Sequence, residues 1–238
     1  MMTLETQFEQ QVTAREYDQW LSRRSLSARW VRFWFSPKRT LWLNTQLPKL
    51  PAAIDLKHDD RILDIGCGFG GLLLFLHEKF RRTNDQAPME GIDSSPLMVK
   101  RACDEIRRHG LEHSIHIKQG VATQLDYDPH SFDVVLCAYV IKHLSDTSLR
   151  QMLQEVKRVL KPGGRVCLWE AVPSRFGFMN VWNLMLLRIG ITTIHLRPPL
   201  EIKRIMEEEG FVIRKPFGHG LYYFYPPLPR AGYIAGLA

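Results

Sequence analysis

A chain of 238 residues, 45% hydrophobic and 24% charged, can bury one substantial core with a modest cap, and its composition is that of a soluble globular protein. The formal charge is +7, and the four cysteines at 67, 103, 137 and 167 lack paired spacing. That spacing indicates neither a zinc knuckle nor a disulfide framework and fits a reducing, cytoplasmic setting.

Met1 to Gln19 are polar and mixed in charge, with no secretory signal. Residues 1–54 are expected to form a helical arm or cap, and residues 55–238 a single domain. Within the arm no acid occurs from Gln19 to Ile54, while Arg23, Arg24, Arg29, Arg32, Lys38, Arg39 and Lys49 are basic. These seven charges equal the net charge of the whole chain, so the remainder is balanced. The arm also holds Trp20, Trp30, Trp34 and Trp42, with Phe33 and Phe35. Leu26, Trp30, Phe33 and Trp34 share one face at helical spacing, and Arg24 and Arg32 point roughly the other way. Three readings compete: a cap over the sheet with solvated arginines outside, contact with an anionic membrane surface or lipid substrate, and nucleic-acid binding. No recognisable DNA- or RNA-binding module accompanies the patch.

Beyond the arm, strands are predicted near 61–65, 88–93, 114–118, 132–138, 165–171 and 211–217, and helices near 70–81, 95–109, 146–160 and 199–209. Asp146 is the expected N-cap of the third of these helices, and Gly163, just after Pro162, its stop signal. Strands alternating with helices imply a mostly parallel sheet covered on both faces.

The most informative stretch is Arg61-Ile-Leu-Asp-Ile-Gly-Cys-Gly-Phe-Gly-Gly71. Ile62, Leu63 and Ile65 suit a buried parallel strand, and Leu72 to Leu76 the helix after it. Glycines at 66, 68 and 70 let the backbone turn sharply and approach a ligand closely. Gly66, Gly68 and Gly71 also match the dinucleotide-binding GxGxxG pattern, which does not separate NAD from other nucleotides. Asp64 tilts the choice, because a carboxylate there repels a pyrophosphate and attracts a cation. S-adenosylmethionine carries both an ammonium and a sulfonium.

Here the chain resembles the class I S-adenosylmethionine-dependent methyltransferases, whose first motif is an acid followed by GxGxG. Met89-Glu90-Gly91-Ile92-Asp93 ends in the acid that holds the ribose hydroxyls in that family, about one strand–helix–strand unit after Asp64. Ser131 to Leu136 resembles the fourth strand, Tyr139 to Leu144 the loop after it, and Leu160-Lys161-Pro162-Gly163-Gly164 the turn before the fifth strand. The ordered set covers roughly residues 55–172. It implies a Rossmann-like three-layer α/β/α sandwich with a seven-stranded, mostly parallel sheet and an antiparallel last strand, for which Leu221 to Tyr225 is the candidate.

The same resemblance implies a cofactor site made of Asp64, Gly66, Cys67, Gly68, Gly70, Asp93, Ser94, Val121, Ala122 and Ala138. One departure stands out. Many relatives have Gly-Asp-Ala after the third strand, where the Asp meets the adenine amino group, and this chain has Gly120-Val121-Ala122. Backbone groups and apolar side chains, or Asp126 or Gln124, are the alternatives.

Residues about 173–198 lie where relatives build a lid over the acceptor pocket. The run Phe176 to Ile189 is unusually apolar, but Arg188 would cost about 2.5–3.5 kcal/mol in a bilayer, and Asn180 and Asn183 add to that. A lid rich in Met, Leu and Phe points to a hydrophobic acceptor, with core packing as the equal alternative. His143 is the first candidate for a general base, since its loop faces the acceptor in relatives and an imidazole titrates near neutrality. Glu170 is the second. Either residue has a structural reading beside the catalytic one. Tyr139, His195, His219 and Tyr222 to Tyr225 are weaker candidates. The function expected is methyl transfer to a hydrophobic small-molecule or lipid-like acceptor. RNA methylation and a non-catalytic partner protein are the alternatives.

Overall fold

The computed structural model describes residues 4–22, 47–80, 89–174, 180–181, 194–222 and 228–237. Ile62, Leu63 and Ile65 are fully enclosed, and the strand they form, β1 (Ile62–Ile65), is an interior strand of a seven-stranded sheet. The others are β2 (Met89–Asp93), β3 (Ile115–Gln119), β4 (Phe132–Ala138), β5 (Leu160–Ala171), β6 (Phe211–Tyr222) and β7 (Leu228–Leu237), in the order β3-β2-β1-β4-β5-β7-β6. β1 to β5 pair in parallel, and β7 runs antiparallel to both its neighbours, β5 and β6.

Both faces of the sheet are buried, as a parallel sheet requires. Leu63, Ile65, Val135, Cys137, Val166 and Leu168 pack beneath α5 (Asp146–Val159) and α6 (Pro199–Glu208). Ile62, Val134, Leu136, Cys167 and Trp169 face the other way, onto Leu50 and Ile54, α3 (Gly71–Phe80) and α4 (Pro96–Arg108). The alternation Val134/Leu136 against Val135/Cys137 is the period of two that divides the layers. Leu50 and Ile54 belong to the short helix α2 (Leu50–Ala53) and its end.

Three sequence expectations are corrected. The last strand is Leu228–Leu237, not Leu221 to Tyr225: Leu221 and Tyr222 end β6, paired with Pro229 and Leu228, and Tyr223 to Tyr225 lie outside the described residues. β7 is rich in Ala and Gly because it is wedged between two strands. A Cβ on Gly232 would overlap the Leu168 carbonyl and the Trp169 side chain. The cap of α5 is Ser145, whose Oγ accepts from Ser148 N at 3.3 Å, while Asp146 is the first helical residue and pairs with Arg197 at 2.7 Å. α5 ends at Val159, before Gly163, because Leu160 is already extended and paired with Phe132 in the sheet.

Within the expected helical arm, one helix lies ahead of the basic and aromatic stretch. α1 (Leu4–Ser22) lacks an apolar stripe, yet Gln10, Thr13, Ala14 and Trp20 are buried against the domain, and Trp20 packs with Met98 and Phe69. The basic and aromatic residues assigned to the arm from Arg23 to Trp42 lie outside the described residues, as does most of the expected lid, including Phe176 to Met179 and Trp182 to Ile189. Among the described residues no helix is long and apolar enough to cross a membrane.

Candidate active site

The carboxyl ends of β1 to β4 open onto one site, and α1 lies across it. The turn after β1 holds three glycines with positive φ, at 71° (Gly66), 54° (Gly68) and 74° (Gly70). Gly66 N and Cys67 N both donate to Ile92 O, at 2.8 and 2.9 Å, which pulls the turn against the end of β2. A Cβ on Gly66 would overlap Val140 Cγ2, whereas one on Gly68 would meet nothing within 4 Å. The first glycine is therefore required by packing, and the second leaves open space beside bare backbone.

Two carboxylates face this turn. Asp64 is buried, and its carboxyl is pushed well above the usual range by that burial and by the charge of Asp93. Asp93 accepts from Gly68 N and from Ser95 N, both at 2.9 Å. These bonds only partly offset desolvation, and its carboxyl is pushed up to about 6, with Asp18 adding to the rise. Among the described residues no cation pairs with these two buried acids, an arrangement that a bound cation would relieve. Between them the Cys67 thiol is raised by burial and by both acids, which makes it a packing residue rather than a nucleophile.

The loop after β3 is anchored by Gly120 N donating to Asp93 O at 3.0 Å. Val121 and Gln124 form a bridge across the loop. Ala122 N donates to Gln10 Oε1 at 2.8 Å, and Gln10 Nε2 donates to Thr123 Oγ1 at 2.7 Å. Beside it runs a cleft of about 820 Å³, lined by Ser94, Pro96, Gly120, Val121 and, from α1, Ala14, Arg15 and Asp18.

After β4 the chain passes Ala138, paired with Trp169, and Tyr139, which takes a left-handed conformation at φ 60°. It then forms a short 3-10 turn, Ile141–His143. His143 Nε2 lies 3.0 Å from Tyr17 OH, with the two rings edge to face. Burial, with Asp93 and Glu170 nearby, holds the Tyr17 phenol well above its usual range, so it stays neutral. Beneath this turn Glu170 accepts from Lys142 N at 3.0 Å and Ala171 N at 2.7 Å, and its carboxylate lies 3.3 Å from Lys142 Nζ. Lys142 Nζ also donates to Tyr139 O. Burial lowers the Lys142 ammonium, and Glu170 works against that.

The sheet thus brings Asp64, Gly66, Cys67, Gly68, Gly70, Asp93, Ser94, Val121, Ala122, Ala138 and His143 to one end, with Glu170 below the turn that carries His143. Sequence reasoning missed the α1 contributors: Gln10, Tyr17, and Asp18, which accepts from Ser95 Oγ. The signal was the helical spacing of 10, 13, 14, 17 and 18 on one face, carried by polar rather than apolar residues. Among the described residues no group of His, Cys, Asp or Glu could hold a metal ion.

Residues 62–164 match the family model of a methyltransferase domain. The chain is 33% identical over 176 residues to demethylmenaquinone methyltransferase of Lactobacillus johnsonii, covering 66% of this chain and 70% of that one. It is 31% identical over 131 residues to 27-O-demethylrifamycin SV methyltransferase of Amycolatopsis mediterranei, covering 54% and 46%. The chain spans only about half the length of most of the curated relatives it matches. A SAM-dependent methyltransferase from Aquifex aeolicus superposes with a TM-score of 0.62 over 86% of this chain and 100% of that one, at 18% identity, a likeness of fold.

Proposed function

This chain belongs to the class I S-adenosylmethionine-dependent methyltransferases, and from that premise we propose that it methylates a hydrophobic small-molecule acceptor presented at Tyr17 and His143. The cofactor, when bound, supplies a methyl group on a positively charged sulfur. The residues present fit it: two buried acids that no cation pairs with among the described residues, and open space beside Gly68.

Asp64 pairs with the cofactor's ammonium, and Asp93 accepts its ribose hydroxyls. The turn from Gly66 through Cys67 and Gly68 to Gly70 permits close backbone approach. Ser94, Val121, Ala122 and Ala138 wall the nucleoside. Placing methyl donor and acceptor at near-attack distance in a dry pocket supplies several kcal/mol of the acceleration.

The observation that carries the acceptor chemistry is the 3.0 Å contact between Tyr17 OH and His143 Nε2. A neutral phenol donates to Nε2 and so keeps that lone pair oriented toward the site. An acceptor hydroxyl in the place of the phenol would give its proton to the same nitrogen, leaving its oxygen as the nucleophile. Glu170, engaged by Lys142 and Ala171, positions this turn rather than acting as the base. The apolar run from Phe176 to Ile189 and relatives named for demethylmenaquinone and 27-O-demethylrifamycin SV support an apolar acceptor bearing an acidic O–H or C–H.

A radiolabelled methyl-transfer screen over quinol, phenolic, lipid and RNA fractions tests the reading. Label in the quinol or phenolic fraction is the expected result. Label confined to RNA would overturn the acceptor class, and failure of S-adenosylmethionine to bind in calorimetry would overturn the assigned cofactor residues.

A further inference from the structure

The carboxamide of Gln10 can sit on the loop after β3 in one orientation only. A backbone N–H can only donate, so the atom 2.8 Å from Ala122 N is the amide oxygen. That leaves Nε2 to donate to Thr123 Oγ1 at 2.7 Å. Both side chains are buried, Gln10 at 5% exposure and Thr123 at 2%. The loop therefore offers one donor and one acceptor side by side, and they are filled by an acceptor and a donor borne on a single carbon. The N1 and 6-amino groups of adenine present the same pair on its Watson–Crick edge. The cleft along Ser94, Gly120 and Val121 runs up to this loop, with room for a nucleoside. At position 121, where an acidic side chain would meet a 6-amino group, this chain has valine.

We propose that Gln10 imitates the N1 and 6-amino edge of the cofactor's adenine and holds Ala122 N–H and Thr123 Oγ1 in the cofactor-free protein, and that Thr123 Oγ1, with no acid at position 121, would receive the 6-amino group. The proposal rests on the reading above that the cofactor binds at the carboxyl ends of β1 to β4. Gln10, Tyr17 and Asp18 lie on one face of α1, two turns apart, and each meets a different loop of the site. Displacing Gln10 thus releases the amino-terminal end of α1 while Tyr17 and Asp18 hold the other. The helix then acts as a lid whose latch is a mimic of the ligand. Apparent cofactor affinity is the intrinsic affinity scaled by the fraction of molecules with the latch open.

Calorimetry on the full chain, with S-adenosylhomocysteine and its 6-deamino (purine riboside) analogue as probes, tests both halves. Gln10→Ala removes the competitor and should tighten S-adenosylhomocysteine binding about three- to tenfold. Thr123→Val should cut the preference for S-adenosylhomocysteine over the 6-deamino analogue about tenfold, because only the amino group loses a partner while loss of the Gln10 contact affects both probes alike. Gln10→Met, which fills a similar volume but can neither accept from Ala122 N nor donate to Thr123 Oγ1, should also bind more tightly than the wild type, and it serves if Gln10→Ala does not fold. Unchanged or weaker binding by the Gln10 variants would overturn the latch. An unchanged preference in Thr123→Val would overturn the placement of the 6-amino group on Thr123. If S-adenosylhomocysteine binds neither the wild type nor the Gln10 variants, the cofactor site itself is overturned.

Discussion

Asp93 Oδ2 accepts the Gly68 N–H at 2.9 Å, so the acid that ends β2 also fixes the turn after β1. The same carboxylate takes Ser95 N through its other oxygen. One side chain therefore shapes the glycine turn and offers the acceptor for a ribose. Asp93→Ala should weaken S-adenosylmethionine binding by about 1–3 kcal/mol, the cost of leaving polar groups unpaired. Calorimetry reads this directly, and an unchanged dissociation constant would refute the ribose assignment.

Because the Asp93 carboxyl is pushed up to about 6 in the free protein, cofactor binding should depend on pH near that value. A bound cation and hydroxyl donors favour the ionised acid, so its pKa falls on binding. Affinity should then be lowest below pH 6, rise by up to about tenfold per pH unit, and level off above neutrality. Protons should be released at pH 6, visible as a dependence of binding enthalpy on buffer ionisation. For the cofactor-free fold the sign is opposite. A raised carboxyl contributes stability that is present below its unfolded value and lost as pH rises through about 6.

Two of the positive-φ glycines in the turn should separate by experiment. Gly66→Ala combines a strained φ with overlap of Val140 Cγ2, so it should cost more than about 2 kcal/mol of stability, and Val140→Ala should restore part of that. Gly68→Ala meets open space and should cost only about 1 kcal/mol in denaturant unfolding. Its larger effect should fall on cofactor affinity, since its methyl enters the space beside bare backbone.

The parts of this site that were legible in the sequence are those where backbone geometry restricts residue choice. Gly66 and Gly68 hold positive φ, β1 must be apolar on both faces, and Asp93 follows one βαβ unit later. β7 was not legible because its burial relies on small residues. Gly232 and Gly236 carry no strand pattern, yet Cβ atoms there would collide with β5 and with Arg214. The site contacts of α1 were missed for a related reason. Its buried face is Gln10, Thr13, Ala14 and Tyr17, which hydrophobic periodicity does not detect. For Glu170 the sequence shows the acid at the strand end but not Lys142 folded back onto it, the contact behind the positioning role proposed above.

That buried pair makes a stability prediction. Removing the Glu170 charge leaves a desolvated ammonium beneath the His143 turn. Glu170→Gln should therefore cost about 3–5 kcal/mol in chemical denaturation. Lys142→Met combined with Glu170→Gln should recover much of the loss, because neither charge is then left uncompensated. If Glu170→Gln instead abolished turnover without affecting stability, the acid would be catalytic and the positioning role would fall.

Tyr17 and His143 separate proton transfer from binding. Tyr17→Phe keeps the edge-to-face packing on the imidazole and removes only the hydrogen bond to Nε2. Since the acceptor hydroxyl takes the phenol's place on Nε2, the change should leave kcat within about threefold and lower KM by up to about tenfold, the scale of one competing hydrogen bond. His143→Asn removes the base and should lower kcat by about 10²–10⁴ with an O–H or C–H acceptor. Neither change should alter cofactor affinity more than about twofold, because the cofactor acids lie on β1 and β2. The wild-type rate should rise with pH as the imidazole loses its proton, and His143→Asn should flatten that limb. A pH profile and kcat left intact by His143→Asn would make His143 a structural anchor for α1 and would shift the acceptor toward a nitrogen or thiol, which needs orientation more than a base.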